Sequence, residues 1–164
     1  MGQYQNKKMS FIGGEEMSFN WCVYSIQRLR DYEDKQRAVE NLTEQIKLLE
    51  EKFTAIRSAT TDSTPVQGGN DNKREEMLIN NISTREELKK NLEIVKHEIA
   101  ITENGLNALT ETEVKILTRF YINRSKGYVE RLCDELFISK TELYRQKDEA
   151  LKRFTMVCYG IVEL

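Results

Sequence analysis

The sequence predicts an all-α protein, a long antiparallel helical hairpin of coiled-coil type followed by a compact unit of shorter helices. Three observations carry that prediction. Charged residues make up 32 % of the chain and there is one proline, a composition that suits long solvent-exposed helices better than a sheet protein. Between residues 39 and 106 apolar side chains recur at spacings of three and four, the alternation that keeps one narrow stripe facing a partner helix. After Gly105 the punctuation tightens, with helix-start signals at Thr110 and Ser139.

Residues 1–18 mix glycine, lysine and glutamate without a period and are expected to form a flexible N-terminal arm. The hairpin is assigned to residues 19–107. A helical pattern begins near Trp21 and is clearest at Val39, Leu42, Ile46, Leu49, Phe53 and Ile56, with Tyr32 one heptad earlier. Residues 58–73 hold the only proline, Pro65, with Gly68 and Gly69 and almost no large apolar side chain, so they read as a flexible linker. A second stripe passes through Leu78 and Ile82 and resumes as Leu88, Leu92, Val95, Ile99 and Leu106. Ser83 with Glu86 has the form of a capping box, which predicts a break or kink at Ser83. Neither stripe can stay exposed, so the two helices pair into an arm roughly 45 to 55 Å long at 1.5 Å per residue. Val39, Leu42, Ile46, Leu49, Phe53, Leu88, Leu92, Val95 and Ile99 are expected to form the hairpin seam or a dimer surface. The arm is a structural spacer or, since two helices alone bury little, the site of a homodimer, which is favoured.

Residues 108–164 form the second unit. Thr110 to Glu113 is a capping box that opens a helix of about a dozen residues, with Val114, Leu117 and Tyr121 on one face and Ile116 and Phe120 widening it. Tyr128 opens a shorter helix in which Val129, Leu132, Cys133 and Leu136 fall at i, i+3, i+4 and i+7. A corner at Phe137 and Ile138 leads to a second capping box, Ser139 to Glu142, and a third helix with Leu143, Ala150, Leu151 and Phe154 inward. Short helix, corner and capped second helix make a helix-turn-helix, whose second helix enters the major groove of duplex DNA.

Rotation at 100° per residue leaves Thr141, Arg145, Asp148 and Lys152 outward on that helix. Arg145 is the leading candidate for a base contact, because a guanidinium can bond guanine O6 and N7 together; Thr141 and Tyr144 are candidates for a thymine methyl or a nearby phosphate. Arg124, Lys126, Lys140 and Lys152 are candidate phosphate contacts, although charges on a helix are often only a solvated face. The chain carries a formal charge of −2, and from Leu109 onward ten basic residues face nine acidic ones. Charge alone therefore does not hold this protein on nucleic acid, and a weak binder gains from a second copy or from a DNA-bound partner such as RNA polymerase.

The segments Leu109 to Ile122 (LTETEVKILTRFYI) and Ile138 to Phe154 (ISKTELYRQKDEALKRF) resemble the sigma-like regulators of Gram-positive phages and prophages, the ArpU and RinA type. The first is similar to the helix before the motif in the fourth region of bacterial sigma factors, the second to its recognition helix. The arm, the linker from Thr64 to Glu76 and the ending Val157 to Gly160 are similar as well, so the likeness covers about residues 20–160. Two positions depart from the pattern: Phe137 stands where glycine is usual in the corner, and Gln146 where an apolar residue usually faces the core. The resemblance implies a sequence-specific transcriptional regulator, an activator of phage late or packaging genes.

Other chemistry finds little support. His97, the only histidine, lies off the Leu92, Val95, Ile99 stripe, so a histidine-based metal site or catalytic dyad cannot be assembled. Gly68-Gly69 lacks the lysine and hydroxyl residue of a phosphate-cradling loop. No enzyme activity, cofactor or metal is expected. Cys22, Cys133 and Cys158 are odd in number and widely spaced, which suits a reducing cytoplasm, and no apolar run is long enough to span a bilayer. The rival readings are a small terminase subunit, which joins a helix-turn-helix to a ring-forming helical segment, and a helical protein-interaction module.

Overall fold

The computed structural model describes residues 20–61 and 71–160. The expected N-terminal arm, residues 1–18, and the centre of the expected linker, residues 62–70, lie outside the described residues. Those described are all-helical, with no strand among them: α1 (Trp21–Arg30), α2 (Tyr32–Thr61), α3 (Asp71–Asn107), α4 (Glu111–Leu117), a π-helical turn (Thr118–Ile122), α5 (Tyr128–Leu136) and α6 (Lys140–Tyr159).

α2 and α3 pack along their length, and the bonds between them fix their sense. Tyr32 donates to Glu103, Lys35 to Glu98, Asn81 to the Leu49 carbonyl and Arg74 to the Ile56 carbonyl. As one position rises the other falls, so the helices run antiparallel. Ile46 and Leu92 are buried between them, and Val39, Leu42, Leu49, Phe53, Leu88, Val95 and Ile99 are half-buried. The seam residues are thus spent within one chain.

Two details of α3 differ from the sequence expectation. The helix runs without interruption from Asp71 to Asn107, so Ser83 caps nothing. An exposed serine inside a helix costs only a few tenths of a kcal/mol, less than breaking a seam that continues on both sides. Ile82 is 41 % exposed; the seam passes instead through Asn81, which is buried, and half-buried Arg85, whose guanidinium lies 5.2 Å from the centre of the Phe53 ring. Polar residues in the stripe looked like a break in it.

The sequence grouped α1 with the hairpin, yet α1 packs mainly on α6 and the π turn. Leu29 joins Leu117, Ala150, Leu151 and Phe154 in one core cluster, with Cys22, Ile26, Leu106, Leu109 and Cys158 against it. A second cluster of Ile116, Phe120, Leu132 and Leu143 gathers α4, α5 and α6, with Val129, Cys133 and Leu136 at its edge. α6 therefore lies between two cores, and each fully buried leucine or phenylalanine contributes about 1.5 to 3 kcal/mol. Its exposed side is held in a fixed orientation.

The first helix of this unit starts as expected: Thr110 Oγ1 accepts from the Glu113 N–H while the Glu113 carboxylate accepts from the Thr110 N–H. It does not finish as one α-helix. From Thr118 it widens into a π turn closed by Asn123 N–H donating to Thr118 O at 2.7 Å. Ile116 and Phe120 lie at the centre of the second cluster, while Val114 is only half-buried.

Where α1, α3 and α6 meet, Arg28 donates to the Tyr159 hydroxyl at 3.0 Å and pairs with Glu98 at 2.8 Å. Trp21 packs on the Tyr159 ring with centroids 4.9 Å apart. Partial burial would push the Glu98 carboxyl up, but Arg28 and Lys35 hold it below the usual carboxylate range. Burial pushes the Cys158 thiol up to about 11, against a smaller downward pull from Arg28.

Candidate nucleic-acid interface

The corner between α5 and α6 is short. Phe137 ends α5 in the left-handed region at φ 54°, and its side chain is 93 % exposed. A bulky residue pays for that backbone shape, which glycine adopts without cost. Ser139 then caps α6, its hydroxyl accepting from the Glu142 N–H at 3.2 Å. The reciprocal half of the expected capping box does not form, because the Glu142 carboxylate is taken by Arg145 and Gln146.

With Leu143, Ala150, Leu151 and Phe154 buried, α6 leaves Thr141, Tyr144, Arg145, Asp148 and Lys152 exposed. Lys140 opens the helix and pairs with Glu130 of α5 at 2.8 Å. Arg124 and Lys126 lie in the connection before α5. The Arg124 guanidinium sits 5.2 Å from the Tyr128 ring centre, and the Lys126 carbonyl accepts from Arg131 at 2.7 Å. Lys152 lies seven residues beyond Arg145, about 10 Å along the helix, so the structure does not group it with the others.

The structure links Arg124 and Tyr144 through a chain of rings that passes by Tyr128 and the buried Phe120. Tyr128 meets the Phe120 ring edge-on at 4.9 Å, and Phe120 meets Tyr144 edge-on at 5.7 Å. Lys147, which sequence reasoning passed over, lies 5.8 Å from the Phe120 centroid and 5.5 Å from that of Tyr144. Cations over ring faces and edge-to-face ring pairs are each favourable, so this array orders side chains that would otherwise be mobile. Gln146, the departure noted in the sequence, is half-buried and donates to Glu142 at 2.8 Å.

Arg145 is the most constrained exposed cation of the face. Its Nε donates to Glu142 Oε2 at 2.8 Å, its Nη2 to Glu142 Oε1, and its Nη1 to Glu149. The bonds from Arg145 and Gln146 hold the Glu142 carboxyl at about 2, so it stays ionised at any ordinary pH. Beside these residues an open polar depression of about 250 Å³ is lined by Thr110, Thr112, Glu113, Arg145, Gln146 and Glu149. Among the described residues no cluster of histidine, cysteine or acidic side chains could hold a metal ion, and no helix is long and apolar enough to cross a membrane.

Fold and face together define a protein all-helical in its described residues, with ordered aromatic side chains and paired charges on its C-terminal helices. The chain belongs to a family of proteins of unknown function, DUF1492, whose model matches residues 55–155, from the end of α2 through most of α6. No curated protein and no solved structure matches the chain.

Proposed function

We propose that this protein is a sequence-specific duplex-DNA-binding transcriptional regulator in which α5, the Phe137 corner and α6 act as a helix-turn-helix. The observation that carries the reading is the two-sidedness of α6. Leu143, Ala150, Leu151 and Phe154 anchor it in two cores, while Thr141, Tyr144 and Arg145 stand exposed on its N-terminal half, the part of a recognition helix that meets base edges. Arg124 and Lys140 flank that half and suit phosphate positioning, while Lys147 is mostly buried and pairs with Asp148 at 2.7 Å.

The sigma-like character and a role as activator of phage genes rest on the sequence resemblance alone; a contact with RNA polymerase and a bacterial cytoplasm rest on that resemblance together with the near-neutral charge and the cysteine usage. A homodimer remains part of the proposal, on a surface other than the seam, whose residues pack within the chain.

The test is capture of genomic DNA fragments by the purified protein, sequenced after recovery, with the mass in solution measured alongside. A few sharp sites upstream of genes are expected, and Arg145→Ala should weaken binding there by about 1 to 3 kcal/mol. Absence of any enriched fragment would overturn the reading. A ring of eight or more subunits enriched near a packaging site would replace it with a terminase role.

A further inference from the structure

We propose that Glu142 and Glu149 are positioning residues that hold Arg145 in the pose in which it reads a guanine. The inference rests on the DNA-binding reading above and deepens it. A guanidinium has five N–H groups in a rigid plane. Three are committed here: Nε and one on Nη2 to the two oxygens of Glu142, and one on Nη1 to Glu149. That leaves one N–H on each terminal nitrogen, the number that guanine O6 and N7 accept together.

The geometry argues for a fixed pose more strongly than an ordinary surface pair would. Most exposed ion pairs contribute little, because two long side chains must be ordered to form them. Here Glu142 grips Arg145 through both oxygens, a two-point contact that sets the plane of the guanidinium as well as its place. Glu149, one turn along, closes the other side, and Gln146 donates to Glu142 at 2.8 Å and steadies it in turn. Arg145 itself is 56 % exposed, so its partners do not enclose the guanidinium. An arginine ordered in advance loses less side-chain entropy when it meets the base.

Two carboxylates beside DNA also carry a cost, since each repels phosphate. This separates the proposal from the plain alternative that the acids only weaken binding. Removing a positioning carboxylate lowers discrimination while raising or preserving affinity for unrelated duplex; removing a merely repulsive one raises both affinities and leaves their ratio unchanged.

The experiment selects preferred sequences for the full-length protein from a randomised duplex library. It then measures affinity for the selected duplex, for the duplex with its guanine replaced, and for an unrelated duplex. In Glu142→Gln the preference for guanine should fall about tenfold, within the range one bidentate contact supplies, with unrelated-duplex affinity equal or higher. Glu149→Gln, which leaves the start of α6 untouched, should show a smaller loss in the same direction. In an Arg145→Ala background, Glu142→Gln should change the preference no further. Full guanine preference in Glu142→Gln, or a further loss in the Arg145→Ala background, overturns the positioning role and leaves the DNA-binding reading intact. A wild-type protein that selects no sequence overturns both.

Discussion

The hydroxyls of Ser25 and Thr155 lie 2.7 Å apart, both side chains fully buried, and join α1 to α6 across 130 residues of sequence. Thr155 Oγ1 also donates to the Leu151 carbonyl at 2.7 Å. A hydroxyl has one proton, so Ser25 is the donor between the two. Ser25→Ala is expected to cost about 1 kcal/mol, the net worth of one such bond. Thr155→Val should cost more, about 1 to 3 kcal/mol, because it strands a buried donor. Made together, they should cost less than the sum of the two. Urea unfolding of the three variants checks this, and strict additivity would show that the hydroxyls do not interact.

Gly105 near the end of α3 faces the same helix. A Cβ placed there would lie 2.6 Å from both Phe154 Cε2 and Cys158 Sγ. Alanine gains about 1 kcal/mol of helix propensity over glycine, whereas overfilling a packed core costs about 1 to 3 kcal/mol. Phe154 is fully buried and has nowhere to move, so the second effect should win. Gly105→Ala is expected to lower the melting temperature; a rise would mean that α3 can shift away from α6.

Phe137 presents the opposite balance. Its left-handed backbone costs a side-chain-bearing residue about 1 to 2 kcal/mol, and at 93 % exposure the ring contributes little packing in return. Glycine loses about 0.4 to 1 kcal/mol through the greater freedom of its unfolded chain. Phe137→Gly should therefore stabilise the protein modestly, as read by thermal unfolding. A clear destabilisation would show that the ring has an unrecognised structural contact.

Glu113 predicts a pH dependence. Partial burial pushes its carboxyl up, but hydrogen bonds from the Thr110 N–H and hydroxyl, together with Arg153, hold it below the usual range. A depressed carboxyl contributes stability that is present above its unfolded pKa and is lost as pH falls through the folded one. Glu113→Gln should thus be less stable than wild type near neutrality, and the gap should close on acidification through and below about pH 4. Equal differences at both ends of the titration would remove the ionised group from the account.

Local periodicity made some of this molecule readable before its structure. The inward set Leu143, Ala150, Leu151 and Phe154 and the Thr110 cap follow from spacing alone, because each depends on residues within one helix. The seam was readable where it is apolar and misread where Asn81 and Arg85 occupy it. The docking of α1 on α6 left no trace in the sequence, since it depends on pairs such as Ser25 with Thr155. Gly105 gave no sign that it makes room for Phe154. The grip on Arg145 was within reach: Glu142 and Glu149 lie three residues before and four after it, the spacings at which helix side chains meet.

The arm and the C-terminal unit differ in how well they are buried, and this yields a test of their independence. Along the α2–α3 seam only Ile46 and Leu92, at 8 % and 9 % exposed, are buried apolar residues among those described, while the cores around α6 hold Leu29, Ile116, Leu117, Leu143 and Phe154 at 0 %. Leu92→Ala removes one of the two central seam contacts, and a buried leucine truncated to alanine costs about 2 to 5 kcal/mol. The lower end is expected where water already reaches the rim. Opening free energies vary across a structure, so the loss should appear where the contact is made. Amide exchange should quicken at least tenfold through α2 and the middle of α3, while α5 and α6 keep their protection. The boundary is expected near Glu98, where Arg28, bonded to both Glu98 and Tyr159, ties the base of the arm to the C-terminal unit. Equal acceleration in both parts would mean that the arm and the unit carrying Arg145 open as one, and that damage to the seam reaches the proposed DNA-binding face directly.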